Sequence, residues 1–245
     1  MSQLLLIVTR FARVVLPAIV LASCDHGYEE LPSYRYRLTV EVETPEGLKS
    51  GSSVIEVRTW LAGPNTVPNP NVIRTRENGE AVTIALGSRG KLYALLRSGN
   101  FMDWPGRVAI PPLTTKQVDP QLYRRAEIQS ARSLRGVREI SKVRRSASHD
   151  IQNWPDFVIF EDQSRPDTIK WVDPTKLDSV FGRGYAVRRV TIQIVEEPVT
   201  RRIFTDLPWL ADKSAEARLP VRIERGSADM FIPPLSFIDF TRSVN

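Results

Sequence analysis

Residues 34–60, YRYRLTVEVETPEGLKSGSSVIEVRTW, hold two strand-like runs joined by a turn. Tyr36, Leu38, Val40 and Val42 alternate with Arg37, Thr39, Glu41 and Glu43, a period of two that buries one face of a strand and leaves the other in water. Thr44-Pro45-Glu46-Gly47 supplies the reversal, because Pro presets φ at the second position of a turn and Gly suits its fourth. The return run, residues 54–60, is rich in β-branched residues, which fit a pleated, half-buried surface. This is a β-hairpin, and later strands need such a surface to pack against.

Beyond it, Gly63-Pro64, Pro68, Pro70 and Asn78-Gly79 punctuate residues 62–79 as a loop. Residues 80–86 alternate as a strand, Gly87-Ser88-Arg89-Gly90 turns the chain, and residues 91–97 return as a more fully apolar strand. Gly90-Lys91 does not make a phosphate loop, since Ala85 stands where the upstream glycine is required and Leu92 follows the lysine. After a loop over 98–112, Asp119-Pro120 reads as an N-cap with Pro at the first helical position. Helical sequence is expected from there to about Arg145. Leu122, Ala126, Leu134, Val137 and Ile140 would face the sheet and the arginines solvent, with Gly136 weakening the helix by about 1 kcal/mol relative to Ala.

Further strands are expected over 156–160, 167–173 and 185–197, a helical turn over 174–180 and a short helix over 207–218. Residues 221–224 and 231–240 read as extended. No internal repeat is visible. Strands separated by one long helical region argue against a βαβ repeat. The expected class is α+β: antiparallel β-hairpins forming a sheet, with one helical segment packed on it.

The chain has 245 residues, of which 42% are hydrophobic and 25% charged, the composition of a globular protein rather than a disordered one. The net charge of +6 is concentrated. Between Lys116 and Arg145 nine basic residues (Lys116, Arg124, Arg125, Arg132, Arg135, Arg138, Lys142, Arg144, Arg145) stand against Asp119, Glu127 and Glu139, which equals the charge of the whole chain. The seven arginines of this set are candidate anion-binding residues, with a solvated helix face as the plainer alternative.

Cys24 is the single cysteine, so neither an intramolecular disulfide nor a Cys-rich metal site can form. It ends a segment with Arg10 and Arg13, an apolar run over 14–21 too short to span a bilayer, and then Leu21-Ala22-Ser23-Cys24. That tetrapeptide resembles the lipobox of bacterial lipoproteins. The resemblance implies cleavage before Cys24, acylation of that cysteine with palmitate-type chains, and a mature protein facing the periplasm. Asp25 resembles the signal that retains such proteins at the inner membrane of enteric bacteria. The alternative is an uncleaved signal anchor or a buried apolar helix. The organisation expected is a signal peptide over 1–23, a tether over 24–33 and one α+β domain over 34–245. YRYRLTVEVETPEGLKSGSSVIEVR, GKLYALLR, SVFGRGYAVRRVTIQIVEEPVT and LPWL together resemble a set of uncharacterised proteobacterial proteins, a likeness that implies no activity.

Catalytic signals are sparse. His26 lies in the tether and His149 in a polar loop, and no Gly-x-Ser-x-Gly elbow accompanies them. No pair of candidate ligands stands at metal-binding spacing, and no cofactor is indicated. Asp156, Glu161, Asp162, Asp167 and Asp173 surround one expected strand pair, where two facing carboxylates would suit an envelope hydrolase. The favoured expectation is a non-enzymatic binding or scaffolding lipoprotein whose partners are the lipid bilayer and, through the arginines, anionic headgroups or envelope polymers. Nucleic acid is disfavoured by export.

Overall fold

The structure, a computed structural model, describes residues 28–110, 119–145, 150–220 and 234–243. The hairpin forms as expected but is longer. β1 (Tyr28–Thr44) and β2 (Gly47–Ala62) pair antiparallel from Tyr28 opposite Ala62 to Thr44 opposite Gly47. Gly47 closes the turn at φ +108, which a side chain rarely tolerates. Tyr36, Leu38, Val40 and Val42 are wholly buried. The expected tether is therefore shorter, because residues 28–33 already belong to β1.

The remaining strands are β3 (Ile73–Glu80), β4 (Val82–Ala85), β5 (Lys91–Ala94), β6 (Val137–Glu139), β7 (Val143–Arg145), β8 (Asp150–Gln152), β9 (Phe157–Phe160), β10 (Ile169–Val172), β11 (Ala186–Val195) and β12 (Thr241–Arg242). The helices are α1 (Trp104–Arg107), α2 (Pro120–Arg132), α3 (Leu177–Phe181) and α4 (Ile203–Asp206). All strand pairs are antiparallel, so the α+β class holds in outline. A single sheet is not what forms. One sheet runs β12-β3-β2-β1-β11-β6, a second runs β10-β9-β5-β4, and β7 and β8 pair apart.

The apolar face of the six-stranded sheet packs on the four-stranded one, and Tyr36, Leu38, Ile55 and Ile192 share a core with Ile84, Leu92, Leu96 and Phe157. Where β2 crosses β4, a Cβ built on Gly51 would overlap the Thr83 carbonyl, so glycine sets how closely the sheets approach. The second face of the smaller sheet is buried too. Tyr93, Leu95, Val158 and Phe160 lie under Trp209, Leu210, Leu219 and Phe240. Burial on both faces explains why LYALL (92–96) and FVIF are continuously apolar rather than alternating.

Several expectations are corrected. Residues 73–80 form β3 rather than a loop, and Asn78-Gly79 lies within it. Gly79 serves close packing instead of a turn, because a Cβ there would stand 2.8 Å from Ile55 Cγ1. Asp119 does cap α2, accepting from Gln121 N at 2.7 Å and Leu122 N at 3.1 Å. The helix, however, stops at Arg132 instead of continuing to Arg145. Gly136 at φ +69 turns the chain, and Val137–Glu139 joins the edge of β11. Leu122 and Val137 are exposed, whereas Ile128, Ala131 and Ile140 face the core. Residues 208–211 and 213–218 are 3-10 turns, not an α-helix. Phe237–Asp239 is likewise a 3-10 turn where extended chain was expected. Residues 221–224 lie outside the described residues.

Candidate functional site

Alternation turns Arg35 and Glu56 onto the polar side of neighbouring strands, where they stand opposite one another. Glu56 is 4% exposed. It accepts from Arg35 Nε at 3.2 Å and Nη2 at 3.0 Å, Arg58 Nε at 2.9 Å and Asn78 Nδ2 at 3.3 Å. Burial by itself would raise its pKa, but the hydrogen bonds from Asn78, Arg35 and Arg58 outweigh burial and hold the carboxyl below the ordinary range.

Next to this pair the end of α2 reaches the sheet and leaves a cleft of about 400 Å³, lined by Arg35, Glu56, Gln129, Arg132, Arg135 and Glu196 among others. Arg135 Nη1 donates to the carbonyls of Arg132 and Leu134 at 3.2 and 3.1 Å, the first of which the helix end leaves open. Arg132 is exposed at the mouth. With Arg35 matched to Glu56, the other charged residues lining the cleft are Arg132, Arg135 and Glu196. The cleft can receive a small anion such as a phosphate or carboxylate, since guanidinium groups offer forked donors to either.

Of the candidate arginines whose side chains are described, the structure brings Arg132 and Arg135 into this cleft. Arg124 pairs with Glu127 at 2.8 Å on its own helix. Arg125 reaches Glu29 at 3.1 Å. Arg138 donates from Nη2 to Val108 O at 2.5 Å, and burial pulls its pKa below the usual guanidinium value. Arg144 is exposed on β7 with Arg145 beside it in sequence. The segment therefore does not present one basic helix face, because α2 ends before most of its arginines. Arg35, Glu56 and Glu196 were missed in sequence, where they look like ordinary outward residues of alternating strands.

The acidic cluster is also dispersed into separate roles. Asp156 is fully buried and pairs with Arg97, its Oδ2 standing 3.3 Å from Nε, while Oδ1 accepts from Gly99 N at 3.0 Å. Glu161 pairs with Lys170 and Asp167 with Arg165. Asp162 and Asp173 fold their own turns by accepting from Ser164 N at 2.9 Å and Thr175 N at 2.8 Å. Hydrogen bonds from Ser164 and from Arg165 hold Asp162 and Asp167 below the ordinary aspartate range, which suits turn and ion-pair roles. Among the described residues no three His, Cys, Asp or Glu side chains converge as a metal site. His26, His149 and Cys24 lie outside the described residues.

The buried polar centre lies elsewhere. Arg97, wholly buried, has Nη1 3.3 Å from Asp239 Oδ2 and donates from Nη2 to Gly99 O at 2.8 Å. Burial raises the pKa of Asp239 despite Arg97. Close by, Arg242 bridges Glu77 at 2.7 Å and the Leu96 carbonyl at 2.8 Å. Tyr36 donates to Pro105 O at 2.8 Å, and burial pushes its pKa up. These bonds fasten the 98–110 segment and the chain's last described residues to the sheets.

Comparison with known proteins adds no relative: no family model, no curated protein and no solved structure matches the chain.

Proposed function

We propose that this chain is a lipoprotein of the bacterial cell envelope, anchored through acyl chains on Cys24 and facing the periplasm as a non-enzymatic binding or scaffolding module. The observation that carries the reading is the order of features before the fold: Arg10 and Arg13, the apolar run, then Leu21-Ala22-Ser23-Cys24, with β1 opening only four residues later at Tyr28. Two or more acyl chains hold a protein on a bilayer stably, because each buried CH₂ contributes about 0.8 kcal/mol. A lipid anchor needs no spanning helix, and among the described residues no helix is long and apolar enough to cross a membrane. Asp25 favours retention at the inner membrane.

The cleft beside Arg35, Arg132 and Arg135 suits a small anionic envelope ligand. Binding rather than hydrolysis is favoured because Asp156, Glu161, Asp162, Asp167 and Asp173 are each engaged by their own partners. The test is intact mass and membrane fractionation of wild type beside Cys24→Ser in a bacterium. The expected result is loss of residues 1–23, a mass gain from acyl chains, and release of the Cys24→Ser chain from the membrane fraction. An unmodified full-length chain in the cytosol overturns the reading.

A further inference from the structure

We infer that one end of the molecule, formed by the start of β1, the 63–72 loop and the first turn of α2, lies against the surface of the lipid bilayer. This rests on the lipoprotein reading and adds to it an orientation and a contact surface. From Cys24 to Tyr28 there are four Cα steps, which span at most about 14 Å when fully extended. An acylated Cys24 therefore cannot hold the start of β1 far from the headgroups, whatever path the intervening residues take.

The side chains gathered at that end suit such a neighbour. Tyr28, opposite Ala62, is 50% exposed. The Ala62 amide donates to Val72 O at 2.9 Å, which fixes the close of the 63–72 loop beside Tyr28. Within the loop, Asn71 N reaches back to Gly63 O at 3.4 Å, and Val67 between them is 86% exposed. Gln121 Nε2 donates to Asn71 O at 2.6 Å, so the first turn of α2 abuts the loop. The next residue, Leu122, is 56% exposed, and Arg125 one turn on is tied to Glu29. In water an aliphatic residue on the open side of a helix, a valine at a loop tip and a tyrosine at a strand's free end gain nothing from burial. All three are favoured at the boundary of headgroups and acyl chains, where tyrosine is enriched.

The charge at this end is nearly balanced: Glu29 and Glu30 stand beside Arg74, Arg76 and Arg125, and Arg76 lies over the Trp60 ring at 5.7 Å. Attraction to anionic lipid is therefore not what this surface is built for. Apolar contact, held in place by the anchor, is sufficient, and zwitterionic lipid should serve as well as anionic.

The surface is tested with the full-length, acylated chain purified from membranes and reconstituted in phosphatidylcholine vesicles whose acyl chains carry nitroxides. Val67→Cys, Leu122→Cys and Leu48→Cys are made singly and labelled with a fluorophore, acylation having blocked Cys24. Leu48 is 51% exposed but lies at the other end of the hairpin, next to its turn, and is the control. Circular dichroism confirms that each variant is folded. Quenching several-fold stronger at positions 67 and 122 than at 48 is expected. Equally weak quenching at all three, with intact mass showing acyl chains on Cys24, overturns the docked orientation and leaves the anchor standing. An unmodified Cys24 overturns both.

Discussion

The two faces of the four-stranded sheet are covered by different kinds of structure. On one side lies another sheet, and the contact is made by alternating aliphatic residues such as Leu38, Val40, Ile84 and Leu92. On the other side lie 3-10 turns and the chain's last described residues, with no repeat to align them. That layer is fastened by directional bonds. Trp209 Nε1 donates to Gln163 O at 2.9 Å, and the Glu80 carboxylate accepts from Arg202 N and Ile203 N, both at 2.9 Å. The Leu96 amide donates to Asp239 O at 2.7 Å, beside the Arg97 ion pairs. Periodic surfaces find their register through burial alone, whereas an irregular layer needs buried polar groups to define where it sits.

If that contrast is right, the irregular layer fails when its polar clasp is opened. Arg97→Met leaves Asp156 and Asp239 buried without their guanidinium, and breaking a buried pair in this way costs about 3–5 kcal/mol. Urea denaturation followed by tryptophan fluorescence should show a midpoint lowered accordingly. A loss under 1 kcal/mol would show that the clasp is dispensable and the contrast mistaken.

The sheet–sheet contact is expected to fail through volume instead. Gly51→Ala drives a methyl group into the Thr83 carbonyl, and overpacking of this kind costs typically 1–3 kcal/mol. The same denaturation series reads it, and an unchanged midpoint would mean that the sheets can separate freely at that crossing.

The smallest effect sharpens the comparison through pH. Glu56, on the outer side of the larger sheet, has a lowered pKa, so its stabilisation is present above the ordinary value of 4.5 and is lost as pH falls through the folded-state value. Asp239 has a raised pKa. Its contribution has the opposite sign, and stability declines as pH climbs from the ordinary 3.8 through the folded-state value. Glu56→Gln should flatten the acid limb of the stability profile, and Asp239→Asn should flatten the decline above it. Identical profiles for the two variants would contradict the assignment.

What was legible in the sequence follows the same division. The β1–β2 hairpin, its Pro45-Glu46 turn, the second hairpin across Gly87–Arg89 and the Asp119 cap could be read because alternation, turn chemistry and capping are local. The end of α2 was misplaced because Val137 and Ile140 continue an apolar spacing that a helix and a strand both allow over so few residues. Gly79 was misread because a glycine required by Ile55 across the sheet looks the same as one required by a turn. The candidate cleft was half visible: Arg132 and Arg135 stood out as charge, but their meeting with Arg35 and Glu56 depends on where α2 stops. The Arg97 clasp joins residues 97, 156 and 239, and nothing local marks such distant partners.

Ala81 ties the halves together. It is the one residue between β3 and β4, buried, with its amide bonded to Phe240 O at 2.8 Å. Residues 73–85 thus pass from the larger sheet into the smaller with no slack between them. A slip of β3 by one residue along β2 would invert its side chains and carry the same displacement into β4, setting the wrong residues against β5. Each sheet therefore proofreads the other: an error in pairing cannot stay confined to the sheet where it arises.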